Sequence, residues 1–145
     1  VVHAHPRDVM IADLVGIQLR QVFGAYNIPE SRLANQGVPV YPRSVLVRTP
    51  ELGRAVAAAI GDSGACILRG HGVVTTGESV EQATLRALDL AELSRISTEV
   101  ALLGGRPHVL ADDDMQELPD LGSSFNDVSR WRHYVGRLKV VGLSL

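Results

Sequence analysis

The sequence predicts an α/β fold in which helices and a β-sheet form the layers of one domain. Two short apolar runs typical of strands, residues 1–5 and 65–68, lie far apart and are separated by stretches of helical composition. In addition, apolar residues between Val80 and Leu103 recur at helical spacing over the longest such stretch in the chain. A chain of 145 residues is long enough to bury one core. This mixture favours a layered α/β domain, and periodicity leaves open whether its sheet is parallel.

The chain begins with an apolar strand over residues 1–5. Pro6 suits the first turn of a helix, since its missing N–H would be unpaired there, and we expect that helix over residues 8–14. Residues 17–26 show no clear period. Residues 27–42 contain several proline and glycine breakers and are expected to be irregular, although two closely spaced valines leave room for a short strand.

A strand followed by a helix is predicted next. Residues 44–48 alternate between apolar and polar side chains, which predicts a strand. Thr49 is a favourable N-cap and Pro50 a favourable first helical residue, so a helix is expected over residues 52–60, with Gly61 ending it.

Two further strands lead into the longest helix. Residues 65–68 predict a buried strand, and residues 73–76 a second strand after a glycine-rich turn. Ser79 and Gln82 have the spacing of a capping box at the start of the helix that ends near residue 103.

The C-terminal tail, residues 106–145, is expected to hold one last helix. Residues 112–122 predict an acidic, mobile connection. Residues 126–139 predict the helix, with Trp131 and Tyr134 on a shared face.

Composition excludes several classes of function. The net charge is −2 and the sequence has no basic block, which argues against a nucleic-acid partner. No apolar run approaches the roughly 20 residues of a membrane helix, so no membrane partner is expected. The single cysteine, Cys66, excludes an internal disulfide and favours a cytoplasmic location; its apolar neighbours predict a buried, inert thiol.

The histidines are the strongest indication of chemistry. His3 and His5 are two residues apart on a predicted strand, so both imidazoles project from one face. His71 lies between Gly70 and Gly72 at a strand end, where glycines allow a sharp turn and a close approach. Three imidazoles would leave coordination positions open for a substrate on a divalent metal. Each motif alone is short enough to arise by chance, but the combination favours a metal site. The other two histidines are assigned to a loop and to a helix surface: His108 and His133.

An ordered set of motifs over residues 1 to about 105 resembles the class II aldolase/adducin family. The motifs are His3-Ala4-His5-Pro6, Gly37-Val38-Pro39-Val40-Tyr41, Gly70-His71-Gly72-Val73 and the segment from Gly77 to Ala83. The resemblance implies a three-layer α/β/α sandwich, a homotetramer with active sites between subunits, and a small-molecule substrate. It also implies a divalent metal held by His3, His5 and His71, most commonly zinc, with manganese or another divalent ion as alternatives.

The resemblance further implies that family members carry a segment before the His-x-His strand. That segment holds an N-terminal helix, early strands, phosphate-binding loops and a glutamate used as acid and base. On this comparison, residues 1–145 correspond to the C-terminal two-thirds of a single domain. We therefore expect the 145-residue chain by itself to be poorly stable and inactive.

Details within the family favour decarboxylases of dihydroxylated aromatic acids. The similar segments are residues 23–29, 68–72, 118–122 and 131–134. Arg69 stands where the sugar-phosphate aldolases usually have asparagine, and in an extended strand it would share a side with His71. An arginine there suits a substrate carboxylate; pairing with an acidic neighbour or a partner subunit is the alternative.

The family resemblance also offers a catalytic acid. The aldolases use a tyrosine from a neighbouring subunit in the region of Tyr26, which makes this residue a candidate; ordinary packing is the alternative.

These features predict a divalent-metal-dependent carbon–carbon lyase. Decarboxylation of a dihydroxylated aromatic carboxylic acid is the favoured reaction. Aldol cleavage of a sugar phosphate, or its epimerisation, is the alternative. A non-catalytic adducin-like module ranks third, because such modules typically lose the metal histidines and all three are present here.

Overall fold

A four-stranded sheet runs through the part of the chain that the structure describes. The computed structural model describes residues 1–119, 121 and 123–143, and only the backbone of residues 123–125. Its strands are β1 (Val2–Ala4), β2 (Val40–Tyr41), β3 (Ala65–Leu68) and β4 (Gly72–Thr75). Its helices within these ranges are α1 (Arg7–Leu14), α2 (Ile28–Leu33), α3 (Pro50–Ile60), α4 (Val80–Leu102), α5 (Asp112–Glu117) and α6 (Ser123–Val140).

The sheet is mixed, with the strand order β1-β4-β3-β2. β3 and β4 form an antiparallel hairpin, β1 pairs antiparallel with β4, and β2 runs parallel to β3. The short connection between β3 and β4 fits only an antiparallel pair, because parallel strands need a long crossover. In this register His3 lies opposite Val74 and Ala4 opposite Val73, so the end of β1 lies beside the start of β4.

Helices cover both faces of the sheet, as the predicted layered α/β class requires. All four residues of β3 are buried, and they alternate between the two faces. The cluster on one face joins the sheet to α1 and α4 and includes Val9, Ala12, Ala65, Ile67, Val73, Leu90 and Leu93. The cluster on the other face joins it to α3 and consists of Tyr41, Val56, Cys66 and Leu68. The arrangement is therefore a three-layer α/β/α sandwich.

The two predicted helix caps are present. Thr49 Oγ1 accepts a hydrogen bond from the Leu52 N–H at 3.3 Å, with Pro50 in the first turn of α3. Ser79 Oγ accepts from the Gln82 N–H at 3.1 Å, and Gln82 Oε1 accepts from the Glu78 N–H at 2.9 Å, so α4 begins with reciprocal caps. Among the described helices, α4 included, none is long and apolar enough to cross a membrane.

The predicted strand over residues 44–48 is wrong. This segment is an irregular loop, and Leu46 and Val47 are exposed. The alternation therefore belongs to surface side chains and not to a half-buried strand. The parallel partner of β3 is β2, which ends directly before Pro42, a residue without an N–H to continue the ladder.

Two short helices replace segments that were predicted to be irregular. In α2, Asn27 caps the helix by accepting from the Glu30 N–H, and Pro29 lies in the first turn, where proline is compatible with a helix. In α5, Asp112, Asp113 and Asp114 occupy the first turn, where negative charge is favourable to the helix dipole. The acidic segment is thus partly helical; two of its residues, Asp120 and Gly122, lie outside the described residues.

The last helix is confirmed and lies against α4. It spans Ser123–Val140, a little longer than expected. The Arg130 guanidinium makes two contacts to the Asp89 carboxylate, one of them 3.1 Å long, and Gln82 Nε2 donates to Asp127 Oδ2 at 3.2 Å. These polar contacts join α6 to the long helix, so α6 packs on the sandwich.

A buried carboxyl lies beneath this junction. Glu30 is fully buried, accepts a hydrogen bond from the Asn27 side-chain amide, and has one oxygen, Oε1, without a partner among the described residues. Burial, and then the nearby carboxylates of Asp89 and Glu92, raise the pKa of Glu30 to about 9. Glu30 is therefore protonated in the folded protein at neutral pH.

This predicts a pH-dependent effect of Glu30→Gln. Unfolded chains lose this proton near the ordinary pKa of 4.5, whereas the folded protein keeps it up to about pH 9. The stability that the proton contributes is complete below pH 4.5 and declines between pH 4.5 and 9, by at most about 1.4 kcal/mol per pH unit. Glutamine resembles the protonated acid and does not ionise, so the variant gains stability relative to wild type as pH rises. Urea unfolding at about pH 5.5 and 8.5 measures this, and a pH-independent difference would contradict it.

Candidate metal centre

His3, His5 and His71 come together in the structure, and we call them the three-histidine cluster. Their ring centroids lie 4.7, 4.9 and 5.0 Å apart. One ring nitrogen from each lies within 4.8 Å of the others, and no second group of three metal-binding side chains meets this criterion in the described part of the chain. Tetrahedral zinc with nitrogen ligands at 2.0–2.1 Å requires nitrogens about 3.3 Å apart. Small side-chain rotations would bring the cluster to that geometry.

The His3 ring is oriented by the backbone of β4. Its Nδ1 lies 2.8 Å from the Val73 carbonyl oxygen. Because a carbonyl only accepts, Nδ1 carries the proton and Nε2 presents its lone pair. That Nε2 lies 3.0 Å from Nε2 of His5, so the two rings converge on one point. In metal-binding histidines, the ring nitrogen that does not bind the metal typically makes a hydrogen bond of this kind, which fixes the tautomer and the direction of the ring.

His71 reaches the cluster from the turn between β3 and β4. The backbone N–H of His71 donates to the Leu68 carbonyl at 2.9 Å. Gly70 has a φ of +58°, in the left-handed region that favours glycine. Nδ1 of His71 is buried without a hydrogen-bond partner among the described residues. Burial lowers the pKa of His71, and the imidazoles of His3 and His5 lower it further. The neutral ring is the form that binds metal.

The glycine after His71 allows a close approach. A Cβ on Gly72 would lie 2.4 Å from the Ala4 carbonyl oxygen and 2.6 Å from Cδ2 of His5. The two glycines of the Gly-His-Gly motif therefore have separate tasks: Gly70 permits the turn, and Gly72 makes room for β1 and its second histidine. The sequence predicted a turn and a close approach at this motif, but not which glycine permits which or that β1 is the approaching segment. The donor set, the oriented His3 ring and the unpartnered His71 nitrogen together fit a divalent metal.

Arg69 does not lie in an extended strand beside His71. The expectation that both side chains share a strand side is wrong, because residues 69–71 form the turn. The side chain of Arg69 is 54% exposed, and its Nε lies 3.8 Å from Oδ1 of Asp13. The structure thus shows pairing with an acidic neighbour, one of the predicted alternatives.

Tyr26 lies in an exposed turn before α2. It is 74% exposed, and its ring centroid lies 5.3 Å from that of Phe23. Within the described residues, no hydrogen bond or ring contact joins Tyr26 to the three-histidine cluster. The Tyr26 side chain is accessible to solvent or to another molecule, so packing in the core does not account for this tyrosine.

One residue at the site was missed by sequence reasoning. The Gly70 N–H donates to Oδ2 of Asp13 at 2.7 Å, across 57 residues of sequence. The available signal was an acidic residue in the last turn of a helix, where the helix dipole disfavours negative charge.

Comparisons with known proteins identify a family and several relatives of this chain. The family model described as "Class II Aldolase and Adducin N-terminal domain" matches residues 1–98. A 3,4-dihydroxyphthalate decarboxylase from Arthrobacter keyseri is 49% identical over 138 residues, which cover 95% of this chain and 56% of the relative. This chain therefore spans about half the length of that protein.

Two solved structures have folds similar to that of this chain. An aldolase II superfamily protein from Pseudomonas syringae superposes with a TM-score of 0.72 at 21% identity, covering 97% of this chain and 55% of the other. An l-fuculose-1-phosphate aldolase from Thermus thermophilus gives a TM-score of 0.52 at 31% identity, covering 74% of this chain and 56% of the other. The first of these comparisons supports the fold alone.

The close approach at Gly72 predicts that Gly72→Ala loses metal. The added Cβ overlaps the Ala4 carbonyl, so β1 must move away from β4 and carry His5 with it. Zinc content by elemental analysis and the melting temperature should both fall. Gly136→Ala in α6 is the matched control, because a Cβ there meets nothing within 4 Å. This variant should bind metal normally, and its free energy of unfolding should rise by about 0.5–1 kcal/mol. Wild-type zinc content in Gly72→Ala would contradict the proposed packing.

Proposed function

Because this chain belongs to the class II aldolase and adducin family, we propose that the protein is a divalent-metal-dependent lyase that decarboxylates a dihydroxylated aromatic carboxylic acid. The observation that carries the proposal is the three-histidine cluster, with its convergent nitrogens and oriented His3 ring. The 49% identity to a protein named 3,4-dihydroxyphthalate decarboxylase supports the substrate class. A small aromatic diacid with adjacent hydroxyls is therefore the proposed substrate.

The three histidines would hold the metal and leave positions open on it. Three neutral nitrogen donors favour zinc, with manganese or another divalent ion as alternatives. When bound, the metal supplies a Lewis acid that takes up negative charge on an oxygen next to the breaking carbon–carbon bond. The chain's own contribution is preorganisation. The Val73 carbonyl directs His3, Gly72 admits His5, and the turn presents His71, whose lowered pKa favours the neutral form that binds metal.

Arg69 is proposed to bind a substrate carboxylate. Its side chain is half exposed, and its contact with Asp13 uses Nε, so within the described residues neither terminal amino group is engaged in a hydrogen bond. Those two groups are the ones that bind a carboxylate through parallel hydrogen bonds. The nearby carboxylate of Asp13 restrains the Arg69 side chain without occupying them.

Tyr26 is proposed to serve as a proton donor in a site shared between subunits. Its exposure on this chain is what a residue contributed to a neighbouring copy would show before assembly. A homotetramer with active sites between subunits is proposed on the family resemblance. A cytoplasmic location is proposed on the single cysteine: Cys66 is buried, and burial raises the pKa of its thiol, so it stays protonated and inert.

Aldol cleavage of a sugar phosphate is the second candidate. The 31% identity to the Thermus thermophilus aldolase supports this candidate. Both reactions use a metal to assist cleavage of a carbon–carbon bond, so the metal centre is compatible with either. Arg69 favours decarboxylation, since the aldolases usually have asparagine there.

Replacing His71 by alanine should remove the metal. Two nitrogen donors, one on β1 and one directly after it, bind a divalent ion far more weakly than three, so zinc content should fall from about one per chain to near zero. Elemental analysis after dialysis measures this, and His133→Ala, an exposed histidine on α6, is the matched control. Full zinc retention in His71→Ala would contradict the three-histidine centre.

A substrate comparison separates the two reactions. The protein as its gene encodes it, loaded with zinc or manganese, should release carbon dioxide from 3,4-dihydroxyphthalate and leave ketose 1-phosphates uncleaved. Arg69→Ala should raise KM for the aromatic acid by about tenfold or more, the effect of losing a charge-assisted hydrogen bond. Cleavage of a ketose phosphate without carbon dioxide release from the aromatic acid would favour the aldolase.

A further inference from the structure

The turn that carries His71 is tied to the helix that follows the other two histidines. We propose that Asp13 is a positioning residue for the metal centre, whose carboxylate fixes this turn relative to β1. The inference rests on the proposed metal centre. It concerns how firmly the ligands are held before metal arrives, and assigns Asp13 no contact with the metal or substrate.

The Asp13 carboxylate contacts both residues that precede His71. Its Oδ2 accepts a hydrogen bond from the Gly70 N–H at 2.7 Å, and its Oδ1 lies 3.8 Å from Nε of Arg69. The Asp13 side chain is only 5% exposed, whereas that of Arg69 is 54% exposed. The backbone hydrogen bond, which is short and charge-assisted, is therefore the stronger contact, and the 3.8 Å ion pair with an exposed partner is the weaker.

The place of Asp13 on its helix is otherwise unfavourable. It lies in the last turn of α1, which ends at Leu14 and contains no basic residue in that turn. A carboxylate there faces the negative end of the helix dipole. The contact with Gly70 compensates for that placement, which is consistent with a role in holding the turn and not in stabilising the helix.

The chain connectivity lets this contact hold His71 in place relative to His3 and His5. Helix α1 begins immediately after Pro6, so the segment 3–13 carries His3 and His5 at one end and Asp13, the anchor of the turn, at the other. Without the anchor, the turn keeps the hydrogen bond from the His71 N–H to the Leu68 carbonyl but loses its tie to α1. The His71 side chain would then sample more positions. This loss of a fixed ligand position would lower the affinity of the site for metal. Loss of such outer contacts typically weakens metal binding by about 10–100-fold.

Zinc affinity of the purified protein tests the inference, measured by competition with a chromophoric chelator. Asp13→Ala should bind zinc about 10–100-fold more weakly than wild type. Asp13→Asn keeps an oxygen that accepts from the Gly70 N–H, so it should recover most of that loss. Leu85→Ala is the matched control for stability, because it truncates a buried side chain of α4 outside both core clusters. It should lower the melting temperature and leave zinc affinity unchanged.

Two results would overturn the inference. One is wild-type zinc affinity in Asp13→Ala while His71→Ala loses zinc, which would leave the metal centre intact and remove Asp13 from it. The other is an Asp13→Asn protein that binds zinc no better than Asp13→Ala, which would exclude the hydrogen bond to Gly70 as the cause. Zinc retention in His71→Ala would instead overturn the metal centre itself, so the two failures are distinguishable.

Discussion

The antiparallel pairing of β1 with β4 is the interaction on which the site depends. It places His3 opposite Val74 and brings together parts of the chain that are about 70 residues apart. Successive strand residues point to opposite faces, so a slip of one residue would turn His3 and His5 toward the face covered by α1 and α4. The hydrogen bond from His3 to the Val73 carbonyl adds a side-chain lock to this register. The short strand β1 and the residue directly after it thus determine the place and the direction of two ligands.

The hairpin supplies the third ligand through local backbone chemistry. Gly70 adopts a left-handed conformation, and Gly72 leaves the space that β1 and His5 require. The left-handed backbone conformation is thus taken by Gly70, and His71 itself has no positive φ. Burial lowers the pKa of that imidazole, which favours the neutral form that binds metal. Turn, register and protonation state therefore converge on the same donor set.

Local patterns predicted the parts of this arrangement that are local. The spacing of His3 and His5 and the glycines around His71 indicated their chemistry, because strand period and glycine conformation need no knowledge of the rest of the fold. That these groups meet was inferred from their combination, each motif at a strand end, and was also implied by the family resemblance. Asp13 and the Val73 carbonyl escaped prediction, because their partners are distant in sequence.

The errors in secondary structure have physical causes as well. The alternation in residues 44–48 lies on an exposed loop, and period alone does not report burial. Pro29 suggested a break, yet it lies in the first turn of α2, where it costs no hydrogen bond.

X-ray absorption at the zinc edge tests the central claim, a metal held by three imidazoles, most directly. The zinc-loaded protein should show three imidazole-type nitrogen neighbours at about 2.0–2.1 Å, with the remaining shell made of oxygen. A shell of oxygen atoms alone, or one that contains sulfur from Cys66, would contradict it.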